Sequence, residues 1–181
     1  MYLIFSVLVV SISLFCSKSD EENEPETISY ISILLSPENG GDSIIFEYHD
    51  LDGPAGSPAE VISPPLKSNT KYSAGIELVN LRVKPSTYLT QEFRLEGKDH
   101  QVFFGVSNDL DMSFEYADTD NDGYPIGLKS NWQTGSAGIA DLQIIIKHKP
   151  NKMAEDVMNG IPTRAGGISD IEAIFPITIT D

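Results

Sequence analysis

Apolar and polar residues alternate with a period of two over much of this chain, the spacing of a half-buried β-strand. Residues 43–50 put Ile44, Phe46 and Tyr48 on one face and Ile45, Glu47 and His49 on the other. Residues 27–35 form a matching strand. The Pro-Glu-Asn-Gly-Gly-Asp segment between them is dense in turn residues, so the two predict a hairpin. Residues 73–81 follow, with Tyr72, Ala74, Ile76 and Leu78 inward. Further strands are predicted at 101–107, 112–117, 126–133 and 140–148. The 140–148 strand has Leu142, Ile144 and Ile146 on its core face. The last strand, 170–180, turns Ile171, Ala173, Phe175, Ile177 and Ile179 inward, and Pro176 on its outer side predicts a sheet edge.

Elsewhere the alternation breaks. Residues 51–65 carry four prolines and two glycines and predict a long surface loop. Residues 85–96 place Tyr88, Leu89 and Phe93 at helical spacing behind Ser86 or Thr87 as a cap, which predicts a short helical crossover. Asn151 caps a second short helical piece reaching Met158. About eight strands at hairpin spacing with so little helix predict an all-β chain, an antiparallel β-sandwich of two packed sheets. The segment Leu66-Lys67-Ser68-Asn69-Thr70-Lys71-Tyr72 resembles the tyrosine corner of immunoglobulin and fibronectin III sandwiches, in which a tyrosine hydroxyl bonds back to upstream backbone. That resemblance implies an immunoglobulin-like sandwich.

The N-terminus follows a different pattern. Residues 2–15 are apolar but for three serines, and polar, acidic residues follow. Spanning a bilayer takes about 20 apolar residues, so this run predicts a secretory signal peptide over 1–15. Ser13-Leu14-Phe15-Cys16 resembles a bacterial lipobox, with Phe15 where a small residue is usual. Ser17-Lys18-Ser19-Asp20-Glu21-Glu22 resembles the acidic export tag of Bacteroidota surface lipoproteins. The reading is a lipidated Cys16, a tether over 16–25 and one folded domain over 26–181, carried on the cell-surface or periplasmic face of an outer membrane. Cys16 is the only cysteine. Once it is lipidated, the domain has no thiol for a disulfide, a nucleophile or a zinc ligand.

Charge sharpens this picture. The chain has 27 acidic and 12 basic residues, a net charge of −15, all of it beyond the leader. Such a surface repels nucleic acid and favours cations. Two cation chemistries are available. Asp118-Thr119-Asp120-Asn121-Asp122-Gly123 matches the first half of a calcium loop, with Asp118, Asp120 and Asp122 as oxygen donors. Lys129 stands where an EF-hand needs its bidentate Glu, and a plain hairpin turn explains the same residues. His49-Asp50-Leu51-Asp52-Gly53 is a weaker echo. The second chemistry is imidazole with carboxylate, suited to zinc, copper or iron. His100 and His148 sit at strand ends with Glu96 and Asp99 beside His100, and His49 nearly ends another strand. Met153 and Met158 would add soft copper donors. The chain has no G-x-S-x-G elbow, glycine-rich phosphate loop or H-E-x-x-H motif, so no enzyme is predicted.

The chain also resembles a group of small Bacteroidota lipoproteins, often labelled type 1 periplasmic binding fold. The resemblance lies in Asp50-Leu51-Asp52-Gly53, residues 66–72, Asp99-His100-Gln101 with Phe103-Phe104, residues 118–128, His148-Lys149-Pro150 and residues 166–175. It implies an accessory to a TonB-dependent receptor in metal or nutrient capture. The label itself implies two α/β lobes, for which this chain lacks both length and strand–helix alternation. The alternative expectation is a structural or adhesive surface module whose acidic loop holds calcium.

Overall fold

A computed structural model describes residues 26–181. The predicted signal peptide, Cys16 and the tether lie outside the described residues. The domain is an all-β sandwich of two sheets.

The first sheet is built on the predicted hairpin. Strand β1 (Tyr30–Pro37) pairs antiparallel with β2 (Ile44–His49), with Ile33 opposite Phe46 and Ile31 opposite Tyr48. On its other side β1 pairs with β5 (Lys71–Asn80), whose inward residues are those the alternation predicts. Strand β9 (Lys129–Thr134) pairs with β5, and β8 (Met112–Tyr116) forms one edge. At the other edge β3 (Glu60–Ile62) lies against β2, so the proline-rich loop predicted over 51–65 contains a short strand. Strand β6 (Thr87–Tyr88) pairs with β5 at Val79 and Asn80. The predicted crossover is therefore part strand and part helix. Its helix α1 (Thr90–Leu95) starts after Leu89 rather than at Ser86 or Thr87, and no side chain caps it.

The second sheet runs in the order β4 (Leu66–Lys67), β11 (Ile168–Thr180), β10 (Gly138–His148) and β7 (His100–Val106). Strand β4 is parallel to β11, an exception to an otherwise antiparallel structure. Among the described residues eleven strands form where about eight are predicted, because β3, β4 and β6 are too short to show a period. Helix α2 (Glu155–Met158) begins after Ala154, three residues later than an Asn151 cap predicts. Pro176 lies opposite Asp141 of β10. On the side away from β10, β11 pairs only with β4, from Ile179 onward, and the Ser63 hydroxyl donates to the Pro176 carbonyl.

Between the sheets, Phe46 stacks on Phe175 at 6.0 Å and meets Trp132 edge-on at 6.5 Å. All three are fully buried. Each such side chain contributes about 1.5–3 kcal/mol through removal from water. Residues 66–72 carry the chain from the second sheet to the first. There the Lys67 amide donates to the Tyr72 hydroxyl at 2.8 Å, the back-bond that the Leu-x-x-x-Thr-x-Tyr spacing predicts. A smaller cluster of Phe103, Val157 and Ala165, with Ile145, packs α2 on the outer face of the second sheet.

Candidate functional site

The site lies at one end of the second sheet. Strands β7 and β10 are in register so that His100 lies directly opposite His148, Val102 opposite Ile146 and Phe104 opposite Ile144. The two imidazoles thus continue a core-facing row whose other members are apolar. His100 is fully buried, and His148 is 9% exposed. Phe93, at the centre of α1, closes the end of the sandwich by stacking on His100 with centroids 3.9 Å apart.

The hydrogen bonds assign the protons. His100 Nδ1 lies 3.2 Å from the Glu96 carbonyl oxygen, which can only accept, so Nδ1 carries the hydrogen. Nε2 of His100 is then a lone-pair nitrogen. His148 Nδ1, 3.0 Å away, donates to it. Burial, followed by the neighbouring His148, pushes the His100 pKa down to about 4, so this imidazole is neutral at ordinary pH. A neutral imidazole whose other nitrogen is fixed by a backbone carbonyl is the form that metal-binding histidines take.

Glu26 completes the group. It arrives from the segment just before β1, and one ligand atom each of Glu26, His100 and His148 lies within 4.8 Å of the others. Its backbone N–H donates to Asp170 Oδ1 at 2.8 Å. Burial, with the Glu26 charge adding to it, raises the Asp170 pKa to about 7 against the opposing Glu26 N–H bond. Glu26 also borders a cleft of about 480 Å³ lined by Tyr48, Asp50, Arg82 and Asp170.

The other sequence candidates lie elsewhere. Glu96 and Asp99 are exposed, on the single 3-10 turn Gly97–Asp99 and its flank. Their backbone carbonyls face inward instead: that of Glu96 holds His100, and that of Asp99 accepts the Lys149 N–H at 2.6 Å. His49 packs against Tyr30 with tilted rings 4.7 Å apart and is outside the group. Met153 is 76% exposed on the surface. The His49–Gly53 echo is a turn in which Asp50 and Asp52 accept the N–H groups of Gly53 and Ser57.

The acids of the 118–123 loop are engaged with protein donors. Asp118 accepts the N–H groups of Gly127 and Lys129, at 2.7 and 3.0 Å. Asp120 Oδ1 accepts those of Asp122 and Tyr124. Its Oδ2 pairs at 3.1 Å with the ammonium of Lys152, which also donates to the carbonyls of Gly97 and Pro125. Burial pushes Asp120 up, but the Tyr124 N–H and Lys152 outweigh it and hold its pKa below the ordinary value. Asp122 makes an exposed pair with Lys98 at 2.8 Å. The Lys152 ammonium thus lies directly against Asp120. Residue type alone does not reveal this, since Lys152 lies outside any recognisable spacing.

No protein family, curated protein or solved structure matches the chain. Among the described residues, no helix is long and apolar enough to cross a membrane.

Proposed function

We propose that the domain is a non-catalytic metal-binding module that holds one divalent transition ion between Glu26, His100 and His148. The observation that carries this is the 3.0 Å approach of His100 Nε2 to His148 Nδ1, with the Glu26 ligand atom within 4.8 Å. Two nitrogens bound to one zinc at about 2.0–2.1 Å in tetrahedral geometry stand a little over 3 Å apart. The ion would take the place of the hydrogen that His148 Nδ1 donates to His100 Nε2, and that hydrogen would move to Nε2 of the His148 ring. Two imidazoles and a carboxylate suit zinc or copper(II) better than calcium. The full burial of His100 favours a held ion over a site open to substrate.

Carriage on the outer membrane through a lipidated Cys16, with delivery of metal to a TonB-dependent receptor, belongs to the same proposal. It rests on the residues around Cys16 and on the lipoprotein resemblance. Titrating the chain with zinc and copper tests the metal reading. A ligand that binds only the folded state raises stability as RT ln(1 + [L]/Kd), about 2.7 kcal/mol at a hundredfold excess over Kd. Tm is expected to rise with zinc in the wild type and not in His100→Ala. No rise with either ion overturns the reading. Labelled fatty acid incorporated into the wild type and absent from Cys16→Ser tests the anchor.

A further inference from the structure

We propose that Asp170 is the positioning residue that seats Glu26 in this metal site, so that a bound ion fastens the N-terminal segment to the second sheet. This rests on the metal reading above and names what holds its third ligand in place. Two of the three ligands need no such help. His100 and His148 are a cross-strand pair whose separation the β7–β10 ladder fixes. Glu26 belongs to no ladder, since β1 starts only at Tyr30.

The β10–β11 register shows how Asp170 comes to meet it. Ile146 pairs with Ile171 and Lys147 with Ser169, so Asp170 is the extra residue of a bulge. A bulge re-aims one side chain out of its strand's alternation, and this one falls next to the end of β10 that carries His148. The re-aimed carboxylate reaches Glu26 across 144 residues of sequence and takes its backbone N–H at 2.8 Å. The second oxygen of Asp170 is buried and makes no hydrogen bond. A buried carboxylate oxygen without a partner is costly, so packing alone does not account for an acid here. Holding the Glu26 amide gives this side chain a specific use. The contact is made through the Glu26 main chain and not through its carboxylate.

The test measures zinc affinity of the full chain by competition with a chromophoric chelator. Groups that orient a ligand typically govern 10–100-fold in metal affinity, and Asp170→Ala is expected to weaken zinc binding by about that factor. Asp170→Asn keeps an acceptor oxygen and is expected to stay within about threefold of wild type. In a Glu26→Ala background, Asp170→Ala is expected to cost nothing further, because Asp170 acts through Glu26. An unchanged affinity in Asp170→Ala overturns the inference and leaves the metal reading standing. So does an equal loss with and without Glu26, which would mark a merely structural role. Absence of zinc binding in the wild type overturns both.

Discussion

Lys152 and Asp120 form an ion pair at 3.1 Å with side chains only 5% and 2% exposed. The pair joins the 118–123 loop, the Gly97 turn and the segment after β10, which are distant in sequence. Removing one partner strands a buried charge, at about 3–5 kcal/mol. Lys152→Met and Asp120→Asn are each expected to destabilise the domain by that order in urea denaturation. The loss should barely change with salt, because buried pairs are poorly screened. A loss below about 1 kcal/mol would show that the pair is solvated.

The same contacts bear on calcium. Asp118 and Asp120 are already satisfied by backbone N–H groups and Lys152. Millimolar calcium is therefore expected to leave Tm unchanged. A rise with calcium that disappears in Asp120→Ala would restore the loop as a cation site.

Tyr116 gives an alkaline signature. Its hydroxyl donates to the Val102 carbonyl at 2.7 Å, and burial pushes its pKa up to about 12. The folded chain therefore keeps a proton that the unfolded chain loses near pH 10. The stabilisation is complete below pH 10 and is lost as pH rises towards 12, by roughly 2–3 kcal/mol. In Tyr116→Phe the fall in stability between pH 10 and 12 should be shallower by that amount. Denaturant melts across this range measure the difference.

Gly167 guards the end of β10. Its φ is +61°, and a Cβ there would press into the His148 carbonyl oxygen, which is backbone and cannot swing aside. Gly167→Ala combines an unfavourable φ with that clash and should cost roughly 1–3 kcal/mol. In the zinc titration it should also weaken binding, since His148 must shift with its carbonyl. Wild-type affinity in this variant would mean that the turn yields without moving the histidine.

The long strands are legible in the chain because each buries one face, so alternation writes the burial into the sequence. Tyr72 is legible for the same kind of local reason: its bond reaches only five residues back. The histidine pair is half legible. His148 continues the parity of Leu142, Ile144 and Ile146, which places it on the core face. The carboxylate partner is not legible. Glu96 and Asp99 are near His100 in sequence, but the 3-10 turn faces them to water. Glu26 reaches the site only through tertiary contacts that no local spacing encodes. Strands β3, β4 and β6 are hidden because two or three residues carry no period.

The parallel pairing of β4 with β11 joins Leu66 to Ile179, more than a hundred residues further along the chain. Until that last strand is present, the first sheet can form its hairpins but lacks most of its opposing layer, since β10 has no β11 to pair with and Phe46 has no Phe175 to stack on. Contacts so distant in sequence make for slow folding. A growing chain would therefore stay open until β11 has been made, and a chain lacking β11 would expose the apolar face of the first sheet and aggregate.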